Sequence, residues 1–259
     1  MSELTFHMKC FSFLFCLLFI SCSVQKHTFK TDDEAYLQKI EVLYDKARNR
    51  EVPVALYQTK NGDIQNKIPI FFSHGYALNS GDAFVNDYNY LTDYLAEKGY
   101  FVVSIQHELK TDELLKTEGK PQIVRRPNWE RGAENIDFVL KKIKKKFPNL
   151  KYDKLVLIGH SNGGDISALY AGLHPEKVSK LIALDNRRMA FPRLSKPKSF
   201  TIRSVDFEAD EGVLPSEEEQ KKLGMTVIFS NIKHNQMDDD ASPEERIFMT
   251  SKILEFLKK

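Results

Sequence analysis

The tightest constraint on the fold is one run, Lys154-Leu155-Val156-Leu157-Ile158-Gly159-His160-Ser161-Asn162-Gly163-Gly164. Apolar residues lead straight into a Gly-x-Ser-x-Gly turn, and a helix-compatible segment from Asp165 to Leu173 follows at once. A buried strand, a sharp turn and a helix in that order hold a serine hydroxyl proud of a sheet. The pentapeptide alone is weak: with Gly at ~7% of residues, it arises by chance in roughly one chain in ten of this length. The flanking strand and helix make Ser161 worth following.

The chain has 259 residues, of which 42% are apolar, enough for one large α/β domain. Its 38 basic and 36 acidic residues leave a net charge of +2, so no global field draws a polyanion and no nucleic-acid partner is expected. All three cysteines, Cys10, Cys16 and Cys22, lie at the N-terminus. The body therefore lacks a disulfide, a thiol nucleophile and a thiolate cluster. Lys9 precedes an apolar run from Cys10 to Ile20, the length of a signal-peptide core and short for a membrane span. Its end, Phe19-Ile20-Ser21-Cys22, resembles a bacterial lipoprotein signal. That resemblance implies lipidation of Cys22 and an extracytoplasmic, membrane-anchored domain; a plainly cleaved signal is the alternative. Residues 1–22 are read as signal, 23–30 as tether and 31–259 as the domain.

Thr31-x-x-Glu34 has the form of a capping box, and Tyr36, Leu37, Ile40, Leu43, Tyr44 and Ala47 recur at helical spacing, predicting a helix to about Arg48. Strands are expected at Glu51 to Thr59, Ile68 to Ser73, Tyr100 to Ile105, Lys180 to Leu184, Phe200 to Val205 and Thr226 to Ser230. Helices are expected at Asp82 to Lys98, Trp129 to Phe147 and, after a Ser242-Pro243-Glu244-Glu245 capping box, to the C-terminus. The last helix should bury Ile247, Phe248, Ile253, Phe256 and Leu257. This alternation implies an α/β fold: a mostly parallel sheet with helices on both faces. Asp185 to Ser199 is too short for a cap domain, which leaves Gln106 to Asn128 as lid material. The lysines from Lys141 to Lys146 read as the solvated side of a helix whose stripe is Ile136, Leu140, Ile143 and Phe147. Asp238-Asp239-Asp240 lacks calcium-loop spacing and reads as surface. No phosphate loop or metal-spaced histidine pair is present, so neither cofactor nor metal is expected.

A serine hydroxyl needs a base to take its proton and a carboxylate to orient that base. Among the histidines past Ser161, His234 follows a strand on a polar loop, whereas His174 ends a helix. His160 should point away from the hydroxyl, and His107 reads as a surface residue of the lid segment. Gly159-His160-Ser161-Asn162-Gly163, His74-Gly75-Tyr76 and Asn231-Ile232-Lys233-His234-Asn235-x-Met237 together resemble the α/β-hydrolase superfamily, serine hydrolase or esterase type, over roughly residues 52–259. The resemblance implies Ser161 as nucleophile, an acid next in chain order, and His234 as base. Related hydrolases commonly place the acid before an apolar pair and a proline. Val213-Leu214-Pro215 therefore favours Asp210, with Asp206 second and Asp185 third; Glu208 and Glu211 share the segment. The oxyanion donors would be the N–H groups of Asn162 and Tyr76, with His74 buttressing the latter's loop. Arg125, Arg126, Arg131, Arg187 and Arg188 could hold a substrate carboxylate or phosphate, or simply pair with Glu108, Glu130 or Asp185. The expected function is hydrolysis of a small-molecule carboxylic ester through an acyl-enzyme. Amide or peptide hydrolysis, acyl transfer, and an inactive hydrolase-like binding lipoprotein are the alternatives.

Overall fold

Residues 36–60 and 62–259 are described in the computed structural model of the chain. The signal segment with Cys22, the tether, Thr31 and Glu34 lie outside them. The elements run β1 (Tyr36–Asp45), β2 (Arg50–Thr59), β3 (Pro69–Ser73), α1 (Ala83–Asn86), α2 (Asn89–Glu97), β4 (Phe101–Ile105), α3 (Pro121–Val124), α4 (Arg126–Lys146), β5 (Val156–His160), α5 (Ser161–Leu173), β6 (Lys180–Leu184), β7 (Lys198–Arg203), α6 (Glu217–Leu223), β8 (Thr226–Phe229) and α7 (Pro243–Lys258). The eight strands form one sheet in the order β1-β2-β4-β3-β5-β6-β7-β8. The β1–β2 and β2–β4 pairs are antiparallel, and the remaining pairs are parallel.

Strand alternation sorts the core into two layers. Phe71, Val103, Leu157 and Leu181 face the α4 and α5 side with Trp129, Ile136 and Ile166. Ile70, Phe72, Ile158 and Ile182 face the opposite side with Leu91, Leu95, Met249 and Ile253. Successive strand residues point to opposite faces, so these short runs are apolar throughout because both faces are covered.

The helix expected up to Arg48 is instead β1. It forms a ten-residue ladder with β2 across a Lys46–Asn49 turn in which Asn49 has φ 51°. Asp45 closes the turn by accepting the Ala47 N–H at 3.1 Å and pairing with Arg48 at 2.6 Å. Tyr36 and Ile40 pack on one layer and Leu43 on the other, a period-two division that no helical stripe makes. Pairing with β2 has overridden the local spacing.

The helix expected over Asp82 to Lys98 breaks in two, with Tyr88 at the junction. Its anticipated apolar face, Phe84, Tyr88, Leu91 and Leu95, is nevertheless buried. Tyr88 precedes α2 but does not cap it. Asp239, expected to be a surface residue, does so from 150 positions away, accepting the Asn89 and Tyr90 N–H groups at 2.8 and 2.9 Å. Replacing Asp239 with Ala is expected to cost about 1 kcal/mol, the usual worth of a helix N-cap, read as a lowered midpoint in urea unfolding. In α7 the capping box forms as expected, but Ile247 is 67% exposed, and Met249 and Thr250 are buried in its stead. Lys141, Lys142, Lys144, Lys145 and Lys146 are exposed along α4.

Candidate active site

The turn between β5 and α5 depends on close backbone approach. A Cβ on Gly159 would stand 2.3 Å from the Gly163 carbonyl oxygen, and one on Gly163 would stand 2.2 Å from that of Ser73. Only hydrogen at both positions lets α5 start directly off the strand and pack against the end of β3. Ser161 sits at the crest with φ 51°, a left-handed conformation that costs a non-glycine residue about 1–2 kcal/mol.

Ser161 Oγ lies 2.9 Å from His234 Nε2, and His234 Nδ1 lies 2.5 Å from Asp185 Oδ2. The expected acid, Asp210, is not part of this arrangement: it pairs with Arg188 and accepts from Gln122 Nε2 at 2.7 Å. Asp206 accepts the backbone N–H of His234 at 2.8 Å, fixing the loop rather than the ring. The carboxylate on the ring is Asp185, the last-ranked candidate, directly after β6 and fully buried. Both Asp206 and Asp210 follow β7 in a stretch that runs out to the surface, where no carboxylate can be enclosed with the imidazole.

Asp185 is enclosed by donors. The Ser204 N–H donates to Oδ1 at 3.0 Å and the Ser204 hydroxyl to Oδ2 at 2.8 Å, and the buried Arg203 guanidinium stands 2.8 Å from Oδ1. Burial alone would raise the carboxyl. The His234 hydrogen bond, the Arg203 charge and the Ser204 bonds outweigh it and hold the Asp185 pKa at about 2. Asp185 also has φ 51°, so both ends of the Ser161–His234–Asp185 chain rest on left-handed backbone. The loop beyond is held by Asp165, whose Oδ1 accepts the Arg188 and Met189 N–H groups at 3.0 and 2.8 Å. Burial pushes that carboxyl up to about 6 against those bonds.

His160 packs against His234 with the rings tilted by 41° and 4.7 Å between centroids, and its Nδ1 lies 2.7 Å from the Tyr88 hydroxyl. Burial, then repulsion from His234, holds it down to about 3, so it stays neutral beside the His234 ring. The Tyr88 hydroxyl also accepts the Gly75 N–H at 2.9 Å. Gly75's donor is thereby occupied, leaving Tyr76 as the next N–H on that loop. Asn162 is the second residue of α5, where the first-turn N–H groups have no intrahelical acceptor.

His107, expected at the surface, is buried beneath the loop after β3. Its Nε2 lies 2.9 Å from Ser73 Oγ, and its N–H donates to His74 Nε2 at 3.1 Å. Burial, then the neighbouring His74, pushes its pKa well below the usual histidine range. His74 Nδ1 in turn donates to Gly75 O at 2.6 Å, which is the anticipated buttress. The side chain of Asn162 accepts from Trp129 Nε1 at 2.8 Å and donates to Glu108 at 3.1 Å and Asn128 at 2.9 Å. The Gln106 to Asn128 segment thus starts as buried floor, and the described residues form no separate cap domain. His174 is half-exposed against Tyr170. Of the arginines, Arg126 pairs with Glu130 at 2.7 Å and Arg131 approaches Asp112 at 3.6 Å. No group of His, Cys, Asp and Glu among the described residues is placed to hold a metal.

The model of the "Serine aminopeptidase, S33" family matches residues 65–184. No curated protein sequence matches significantly. Among solved structures, a protein of Klebsiella pneumoniae subsp. pneumoniae described as a dienelactone hydrolase aligns at TM-score 0.65 and 11% identity, covering 87% of this chain and 100% of its own. An esterase of the fungus Rhizomucor miehei aligns at TM-score 0.60 and 11% identity over 87% of this chain and 84% of its own. Thermogutta terrifontis esterase 2 aligns at TM-score 0.60 and 14% identity over 84% and 93%. With its sheet order, its elbow at Ser161 and these likenesses, the chain is an α/β-hydrolase in fold.

Proposed function

We propose that the protein is a serine hydrolase that cleaves carboxylic esters through an acyl-enzyme on Ser161. The observation that carries this reading is the hydrogen-bonded chain from Ser161 Oγ through His234 to the buried Asp185. His234 Nε2 takes the hydroxyl proton as Ser161 Oγ attacks the ester carbonyl. Asp185 holds the Nδ1–H tautomer and steadies the imidazolium that forms. The N–H groups of Tyr76 and Asn162 receive the developing oxyanion, worth roughly a hundred- to a thousandfold in turnover per donor. His234 then returns its proton to the departing alcohol, and water resolves the acyl-enzyme by the same route reversed.

Esterases among the structural neighbours favour an ester substrate, and Thermogutta esterase 2 is described as phosphonylated by cyclosarin. Incubation with a fluorophosphonate probe is therefore expected to leave one covalent adduct, mapped by mass spectrometry to the peptide bearing Ser161. An unlabelled, well-folded protein would sink the reading and favour a hydrolase-like binder. The match to a serine aminopeptidase family model favours a second reading, amide or peptide hydrolysis. Matched aryl esters and aminoacyl anilides separate the two, and a competing alcohol in the same assay reveals acyl transfer. We further place the enzyme outside the cytoplasm, anchored through a lipid on Cys22. Metabolic labelling with a fatty acid should mark the intact chain and be lost in Cys22→Ala.

A further inference from the structure

The loop that carries Asp185 continues into Arg187 and Arg188, at the carboxyl ends of the parallel strands, where open α/β sheets bind their ligands. Arg188 is neutralised by Asp210, and Arg126 by Glu130. Arg125 and Arg187 form no such ion pair. Both are half-buried, and among the described residues neither has a carboxylate within 4 Å. Arg125 donates Nε to the Lys116 carbonyl at 3.1 Å, a neutral partner. The Arg187 guanidinium lies over the Phe207 ring at 4.2 Å, and that ring stands edge-on to His234 at 5.4 Å. One unpaired cation is thus a single ring away from the reacting imidazole. The end of α3, which Arg125 caps, is tied to the loop of Arg187 and Arg188 by Gln122, whose Nε2 donates to the Arg188 carbonyl at 3.4 Å and to Asp210 at 2.7 Å. Arg188, next in the chain, walls a cavity of about 620 Å³ with Lys120, Gln122, Arg126, Asp210 and Glu211.

Asp165, Asp185 and Asp206 attract Arg187, and Asp165 and Asp210 attract Arg125, but only at longer range, so the hydrogen-bonding edges of both guanidinium groups stay open to a shared oxyanion. We propose that Arg125 and Arg187 bind an anionic group of the substrate, so that the ester cleaved at Ser161 carries a carboxylate or a phosphate on its acyl or alcohol part. The assignment rests on Ser161 as the reacting group, and it adds the substrate class. Both arginines contact substrate in this scheme and neither exchanges protons with it.

The test compares three aryl esters of similar length: a neutral butyrate, a hemisuccinate bearing a free carboxylate, and a phosphonopropionate bearing a phosphorus oxyanion. In the wild-type enzyme, kcat/KM on at least one anionic ester should exceed that on the butyrate tenfold or more, and the arm that wins names the anion. In Arg125→Gln/Arg187→Gln the anionic-to-neutral ratio should fall ten- to hundredfold, and added salt should lower the wild-type ratio. A wild-type preference for the neutral ester, or a ratio that the double substitution does not move, overturns the proposal while leaving the Ser161 reading intact. Calorimetric titration of the Ser161→Ala protein with the same compounds keeps the two readings apart. An anion preference in binding that the arginine substitutions remove, without wild-type turnover of any ester, upholds the anion site and sinks the hydrolase. Equal binding of charged and neutral compounds overturns the anion site.

Discussion

Ser161→Ala is expected to lower ester turnover by roughly 10⁵–10⁶ and to abolish labelling by a fluorophosphonate. The size follows from what is removed. Among the described residues Ser161 has the one hydroxyl hydrogen-bonded to His234 Nε2, at 2.9 Å, and the substitution removes it. The N–H groups of Tyr76 and Asn162 remain, so some acceleration over water should survive through the polarised carbonyl. The fold should survive as well. Alanine meets the same left-handed backbone that serine already occupies, and the contacts that fix the turn belong to Gly159 and Gly163. An unchanged thermal midpoint is therefore the control. Turnover within a factor of ten of wild type would remove Ser161 from the mechanism altogether.

The sequence makes Ser161 and His234 legible because both signals are local. A strand leading into Gly-x-Ser-x-Gly forces the turn wherever it occurs, and a histidine between Lys233 and Asn235 on a loop is poorly explained as core. The core is legible for the same reason: β3, β4, β5 and β6 are continuous apolar runs between turn residues, as strands covered on both faces must be. The acid is a non-local fact. Which carboxylate meets the imidazole depends on which strand end lies under the His234 loop, and Asp185, Asp206, Glu208, Asp210 and Glu211 all satisfy the chain order. One signal does discriminate among them. Arg203 ends the buried run Phe200-Thr201-Ile202, and a cation buried there needs a carboxylate partner of equal burial. Asp185, at the end of the neighbouring strand, is positioned to be that partner, and Asp210, in a surface stretch, is not.

The same logic accounts for β1. Tyr36, Ile40, Leu43 and Tyr44 fit a helical stripe and a two-faced strand equally well until β2 is present to pair with. The break at Tyr88 is likewise invisible locally, because its cause is the hydroxyl's reach to Gly75 and His160 and its remedy is Asp239. His107 is a third case. A polar segment rich in charge reads as surface, but Gln106, His107 and Glu108 are drawn under the elbow by hydrogen bonds to residues distant in the chain.

Asp185→Asn should lower kcat by roughly 10³–10⁴, and Asp210→Asn and Asp206→Asn by less than tenfold. An amide at position 185 can still meet the His234 ring, but it presents a neutral dipole where a carboxylate stabilised the imidazolium, and its NH₂ favours the wrong tautomer. Asp210 is tied to Arg188 and Gln122, so its loss loosens the loop without touching the ring. Stability provides an independent reading of the same contact. The Asp185 carboxyl sits at about 2, below its unfolded value, so the stability it contributes is present at pH 5 and is lost as the pH falls toward 2. Through that interval wild-type protein should lose on the order of 2 kcal/mol from this group, whereas Asp185→Asn lacks that component. The variant also leaves Arg203 buried without its counter-charge, so its stability at neutral pH should drop by about 3 kcal/mol or more. Pairing Asp185→Asn with Arg203→Met should restore much of that stability and none of the activity. Recovery of both in the double variant would mean that Asp185 serves only to neutralise Arg203.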